Sequence, residues 1–170
     1  HLDRPTRVLD NYREEFLSAT DVELIRQAGF KIVIDHSNGA SSQIFPTLFS
    51  LLGISATELN ASLNPRKFSS SADEQSQAIV QLAAIVTSLK ADIGFRLNSA
   101  AEKLTVVDEQ GKPLDPQMLL LIVTDLYLQV HRPKKIAVPV VASMGIEEVA
   151  REYGVEVVRV SNDHRAMMDA

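Results

Sequence analysis

Short β-branched runs bounded by glycine alternate along this chain with stretches of helical period, and that alternation restricts the fold more than any other feature. Lys31-Ile-Val-Ile-Asp35 is too short for a helix, which predicts a buried strand. A second strand is expected over 54–59. Ile93, Phe95 and Leu97 alternate as in a strand with one buried face, and Leu104–Val107, Ile136–Val141 and Val155–Val160 supply three more. Between them lie helices with recognisable ends. Thr20 and Glu23 have capping-box spacing, and Gly29 closes that helix. A helix follows the loop 36–42 and stops at Gly53. Ser71 and Glu74 repeat the capping box ahead of the stripe Ile79, Leu82, Ala83, Val86, Leu89. Asp115 caps a helix that opens on Pro116 and runs to about Gln129, and Ser143 caps one that reaches Tyr153 before Gly154. The class is α/β.

Two segments lack period. Residues 1–11 contain Pro5 and read as a linker, with Tyr12–Leu17 as a short turn after it. Residues 60–73 read as a long loop. There is also an internal echo. Lys31-Ile-Val-Ile, loop, helix, Gly53, strand matches Lys135-Ile-Ala-Val, loop, helix, Gly154, strand. Two related domains are therefore expected, 12–110 and 111–170, the four strands before Glu109 forming one sheet and the two after Asp115 another.

Composition narrows the function classes. Hydrophobic residues at 45% and charged residues at 23% fit a packed globular protein, which excludes disorder and coiled coil as the main content. The longest uninterrupted apolar run, Met118–Val123, is too short to span a bilayer, so no membrane partner is expected. No cysteine is present, which leaves no disulfide framework or thiolate metal site and fits a cytoplasmic location. A net charge of −5 argues against nucleic acid. The chain begins at His1, which suggests a piece of something larger.

The order of motifs is more specific than any one of them. A strand ending in Asp35 leads to Asn38-Gly39-Ala40. Later come Ala91-Asp92-Ile93-Gly94-Phe95, the loop 98–102, Leu104-Thr-Val-Val-Asp108 and Gly111. This order resembles the central part of the phosphohexomutase family, which includes phosphomannomutases and phosphoglucosamine mutases. The resemblance covers roughly 12–170 and implies domain II plus part of domain III, both α/β/α and the second incomplete. The stretch A-D-x-G-x-x-x-D-G-D-A/G-D-R-L closes domain II in that family. Its three aspartates fall here on Asn98, Ala100 and Glu102, its glycine on Ser99 and its arginine on Lys103. The family's loop binds Mg²⁺, which prefers hard, charged oxygens in near-octahedral geometry. At 4 Å and an effective dielectric near 20, each lost charge forfeits roughly 4 kcal/mol per unit charge on the metal. Two of three such charges are gone. No working metal site, no cofactor and no catalytic residue are expected in these residues, and Ser99 would strain the turn if its position needed φ > 0.

Other residues admit a plain reading beside a functional one. Ser37, Asn38 and Gly39 precede a helix and could cradle a phosphate there, with Lys103 as a further phosphate ligand; the same residues also make an ordinary turn and cap. Asp35 and His36 suggest a dyad with Ser41 or Ser42 as nucleophile. However, neighbours at a strand end point in opposite directions, so those two should not form one base–orienter pair. His1, His36, His131 and His164 lack zinc-helix spacing. His131–Lys135 and Ser69–Ser71 read as solvated loops. Phe68 and Ser161-Asn162-Asp163-His164 match the family weakly.

The resemblance implies a non-catalytic mutase-like module of a larger sugar-phosphate or nucleotide-sugar enzyme, of a kind similar to those fused to mannose-1-phosphate guanylyltransferases. Its expected partners are other domains of the same polypeptide, a sugar phosphate or nucleotide sugar, and a second copy in a homo-oligomer. The alternatives are a fragment of an active mutase with an atypical metal loop, or an unrelated α/β binding module.

Overall fold

A computed structural model describes residues 4–68, 70–161 and 163. The chain divides into two compact units, one ending at Pro113 and one starting at Leu114.

The first unit is built on a four-stranded sheet of order β2-β1-β3-β4, with β1 Lys31–Asp35, β2 Ser55–Leu59, β3 Ile93–Leu97 and β4 Leu104–Asp108. β1 is parallel to both β2 and β3, and β4 closes the far edge antiparallel to β3. The central strand has apolar residues on both faces because both are covered. Ile32 and Ile34 pack with Phe49 of helix α3 (Phe45–Leu52), whereas Val33 packs with Leu82 and Val86 of helix α4 (Ala72–Leu89) on the opposite side. The result is an α/β/α layer. β3 has both faces covered as well, not one as its alternation suggested. Ile93, Phe95 and Leu97 face the α3 side, and Gly94 lies under α4, where an added Cβ would sit 2.6 Å from a Val86 methyl.

β1 and β3 are locked in register at their starts. The Lys31 N–H donates to the Asp92 carboxylate at 2.7 Å, and the Asp92 N–H donates back to the Lys31 carbonyl at 2.8 Å. α4 carries the full capping box: the Glu74 N–H donates to the Ser71 hydroxyl, and the Ser71 N–H donates to the Glu74 carboxylate. That backbone N–H holds the Glu74 carboxyl below its usual range.

The structure corrects several expected elements. Residues read as a linker and turn form helix α1 (Arg4–Ser18), with Pro5 in the first turn, where its missing N–H costs nothing. Helix α2 (Val22–Ala28) is capped by Asp21, whose carboxylate accepts the Leu24 N–H, and not by Thr20, whose hydroxyl donates to the Phe16 carbonyl. The helix after the glycine loop is two pieces, a 3₁₀ turn Ala40–Gln43 and then α3, which begins at Phe45-Pro46. The 60–73 segment holds a further 3₁₀ turn, Pro65–Lys67, capped by Asn64.

The second unit contains helix α5 (Pro116–Val130), strand β5 (Lys135–Pro139), helix α6 (Gly145–Glu152) and strand β6 (Glu156–Val160). β5 and β6 pair in parallel and form a separate sheet. Leu128 and Leu121 of α5 and Ala150 and Ile146 of α6 cover Ile136 and Val157. The outer face of α5 exposes Met118, Val123, Leu126, Tyr127 and Val130. Asp115 caps α5 as expected. Met144, not Ser143, is the residue before α6, although the Ser143 hydroxyl accepts the Gly145 N–H. Arg159 of β6 ties the β5–α6 turn together. Its guanidinium pairs with Glu147 at 2.7 Å and donates to the carbonyls of Val140, Ala142 and Ser143. That pairing holds the Glu147 carboxyl low.

Candidate functional site

The carboxyl ends of β1 and β3 open into a cavity of about 700 Å³ in the first unit. Parallel strands put their loops at this end, which is where open α/β sheets bind ligands. Four cations line it. Arg66 and Lys67 come from the 3₁₀ turn after β2, Arg96 from β3, and Lys103 from the loop between β3 and β4. The carboxylates on the wall are already engaged. Asp35 is buried; one of its oxygens takes the Ser37 N–H at 2.9 Å and the Asn60 amide at 2.8 Å, and the other takes Arg96 Nε at 3.2 Å. Glu74 is held in its capping box. Arg66, Lys67 and Lys103 make no side-chain hydrogen bond or ion pair among the described residues, and all three are exposed.

Ser37 and Asn38 line the same cavity, both at positive φ, +48° and +55°. They do not form an N–H cradle. The N–H of Ser37 goes to Asp35, that of Asn38 to Asn60, that of Gly39 to His36 and that of Ala40 to Ser99. The element behind them is a short 3₁₀ turn, not a helix N-terminus. The Asn38 amide donates to the Ser62 carbonyl. The Ser37 hydroxyl oxygen is buried in the wall without a partner among the described residues. Gly39 lets two loops touch, because a Cβ there would lie 2.2 Å from the Ser99 carbonyl oxygen.

The loop Asn98–Lys103 has its own internal order. The Asn98 side-chain oxygen accepts the N–H groups of Glu102 (2.8 Å) and Lys103 (2.9 Å), so it points into its own turn. The Ser99 hydroxyl donates to the Phe68 carbonyl. The left-handed residue is Ala101, at φ +59°, so the strain anticipated at Ser99 does not arise there. The Ala100 side chain has no donor atom, and Glu102 is exposed. The family's Mg²⁺ does not fit this donor set, because one neutral oxygen is already shared between two N–H groups and one carboxylate remains. Among the described residues no group of three or more His, Asp or Glu side chains could hold a metal.

Asp35 and His36 diverge, as adjacent strand-end residues should. Even so, His36 has a serine at one nitrogen and a carboxylate at the other. Nδ1 lies 2.9 Å from Ser41 Oγ and Nε2 lies 3.1 Å from Glu58. Burial pushes the imidazole pKa down, against the raising pull of Glu58. The neutral ring that suits both partners accepts from the Ser41 hydroxyl and donates to Glu58. With His36 at 0% and Ser41 at 2% exposure, the pair is closed off from solvent and, with Glu58, braces the loop. Glu58 was missed in the sequence because its approach depends on the parallel pairing of β2 with β1. Of the four histidines, His131 lies in the second unit, and His1 and His164 lie outside the described residues. So do Ser69 and Asn162.

The α/β/α layer, with its loops gathered at the carboxyl ends of parallel strands, defines a class of open-sheet α/β domains that hold ligands at that end. Residues 10–111 match the family model for the α/β/α domain II of phosphoglucomutase/phosphomannomutase. The chain is 31% identical over 144 residues to a phosphoglucosamine mutase of Nitratiruptor sp., covering 83% of this chain and 32% of that protein. It is 29% identical over 157 residues to the phosphoglucosamine mutase of Hydrogenovibrio crunogenus, covering 92% and 34%. A solved phosphoglucomutase/phosphomannomutase family protein from Burkholderia thailandensis shares the fold at TM-score 0.73 and 22% identity, over 94% of this chain and 34% of that one. The open form of the Paramecium phosphoglucomutase parafusin does so at 0.73 and 16%, over 88% and 29%. The chain belongs to the phosphoglucomutase/phosphomannomutase family, which replaces the reading of an unrelated α/β binding module. It spans about a third of the length of these relatives. Among the described residues no helix is long and apolar enough to cross a membrane.

Proposed function

We propose that this chain is a non-catalytic phosphohexomutase-type module of a larger sugar-phosphate or nucleotide-sugar enzyme, with a scaffold or ligand-sensing role. One observation supports this above the others: the Asn98 side-chain oxygen is spent on the N–H groups of Glu102 and Lys103, beside an Ala100 whose side chain has nothing to offer an ion. Positioning and charge stabilisation dominate phosphoryl transfer, and a loop reduced to the single carboxylate of Glu102 supplies little of either. The apolar outer face of α5 is where this reading places other domains of the same polypeptide.

The test is calorimetric titration of the chain with Mg²⁺ and Mn²⁺. No binding tighter than millimolar is expected, and the combined change Asn98→Asp, Ala100→Asp and Glu102→Asp should create it. Micromolar binding that Glu102→Ala abolishes would overturn the proposal. A second reading, a fragment of a working mutase with an atypical metal loop, is favoured by the similarity to phosphoglucosamine mutases. Flanking sequence separates the two: a phosphoserine loop belongs to the mutase, and a G-G-x-G-T-R-L signature to a guanylyltransferase-type parent.

A further inference from the structure

We propose that Asn38 is a site of spontaneous deamidation, which the fold holds in check and whose product unties the loop after β1 from the loop after β2.

The reaction needs no enzyme. In an Asn-Gly pair the glycine has no side chain to hinder its backbone nitrogen, which can attack the neighbouring carboxamide. Asn38-Gly39 is the one such pair in the sequence. The Gly39 nitrogen would bond to Asn38 Cγ while the Cγ–Nδ2 bond breaks. The amide proton leaves with Nδ2 as ammonia, and a cyclic succinimide remains. Water then opens the ring at either carbonyl and leaves aspartate or isoaspartate at 38.

The structure engages both reacting groups. Asn38 and Gly39 are buried, Asn38 at 8% exposure. The attacking nitrogen is occupied, because the Gly39 N–H donates to the His36 carbonyl at 2.8 Å. So is the leaving group: the Asn38 amide donates to the Ser62 carbonyl at 3.1 Å and to the Ser62 hydroxyl at 3.3 Å. His36 is fixed in turn by Ser41 and Glu58. Reaction therefore waits on local opening of residues 36–41, not on unfolding of the whole unit.

The consequence follows from the same bonds. Asn38 ties the two loops through its N–H to the Asn60 carbonyl, its amide to the Ser62 carbonyl, and its own carbonyl, which accepts the Asn64 N–H at 3.0 Å. A carboxylate has no proton for the Ser62 carbonyl, so acceptor oxygens would face each other in a buried site. Isoaspartate also adds a carbon to the main chain beside Gly39, where a Cβ would already lie 2.2 Å from the Ser99 carbonyl oxygen. Neither product rebuilds the closed loop, and the step runs one way.

The experiment incubates the 170-residue chain in mildly alkaline buffer, with and without urea, and follows isoaspartate at 38 by peptide mapping. The reaction should be slower without urea by roughly tenfold or more, the factor that about 1.4 kcal/mol of opening free energy gives. Ser41→Ala releases His36 and should speed the folded reaction about fivefold, the effect of losing one buried hydrogen bond, with no change in urea. Gly29→Ala weakens the unit away from this loop and should leave the folded rate unchanged. Circular dichroism checks that both variants are folded, and the wild-type comparison with urea stands without them. Converted wild-type chain should lose hydrogen-exchange protection at the Asn64 amide. Equal rates with and without urea, or no isoaspartate at 38 in urea, would overturn the proposal. An unchanged folded rate in Ser41→Ala does the same, as does equal acceleration by Gly29→Ala, which assigns the reaction to global unfolding. Full protection of the Asn64 amide after conversion refutes the untying of the loops.

Discussion

Replacing Gly39 with alanine tests whether the glycine loop and the degenerate metal loop are really packed backbone to backbone. The new Cβ would stand 2.2 Å from the Ser99 oxygen, 2.4 Å from its Cα and 2.6 Å from its carbonyl carbon. Ordinary carbon contacts begin near 3.5 Å, so the Ser99 backbone must retreat by about 1 Å. Backbone cannot rotate out of the way as a side-chain tip would. Such overpacking costs about 1–3 kcal/mol, and loss of the 3.1 Å bond from the Ala40 N–H to the Ser99 carbonyl adds about 1 kcal/mol. Alanine recovers roughly 0.5 kcal/mol by stiffening the unfolded chain. The net loss of about 1.5–3.5 kcal/mol should lower the thermal midpoint of the first unit by roughly 6–28 °C. Gly29→Ala is the matched control. It has nothing within 4 Å and pays only for φ +63°, about 1 kcal/mol. Urea unfolding of both variants, with the Ala40 amide followed by NMR, measures the difference. If Gly39→Ala proved as mild as Gly29→Ala, the two loops would not be in contact and the cavity wall would be wrong.

Three further outcomes are expected. The pKa of His36 lies below the ordinary 6.5 when folded, so between that lowered value and 6.5 the unfolded chain binds more protons. Stability should therefore fall as pH drops below 6.5, and urea midpoints for His36→Asn should flatten that decline. Ser71→Ala removes one half of the α4 capping box and should cost about 1 kcal/mol in denaturant unfolding, with Ser71→Thr or Ser71→Asp close to wild type. Arg159→Lys keeps the charge but loses the fork that spans Glu147 and the turn carbonyls, so the urea midpoint of the second unit should fall, and an unchanged midpoint would show the clamp to be idle.

The strands were legible because a central strand covered on both sides must be apolar throughout, as Ile32-Val33-Ile34 is. Two caps were legible because they bond locally, Ser71 with Glu74 and Asp115 with Gln117, whereas Thr20 and Ser143 each stand one residue before the residue that opens the helix. α1 was not. Its polar, arginine- and glutamate-rich surface has no buried stripe to read, and Pro5 looks like a breaker unless it is known to fall in the first turn. The candidate site divides the same way. Lys103 could be placed by its position in a loop, but Arg66 and Lys67 sit in what reads as an irregular polar segment. Only the three-dimensional return of that segment brings them to the same cavity as Lys103. The partners of the N–H groups of Asn38 and Ala40 were not legible, because they are the Asn60 and Ser99 carbonyls, which only the folded chain brings to this loop.

The reciprocal bonds between Lys31 and Asp92 join positions 61 residues apart. β1 can meet β2 much sooner, since Lys31 faces Ser55 across a single helix. Loop closure costs more entropy over the longer span, so an order in which the β1–α3–β2 half pairs before β3 reaches the other side of β1 is expected. In that order β1 would present an unpaired edge until the β3–β4 hairpin fills it. Nothing in the register distinguishes a hairpin of the same molecule from that of another copy. The topology thus carries a route to strand exchange, which refolding at rising protein concentration would reveal as interlocked dimers gained at the expense of monomer.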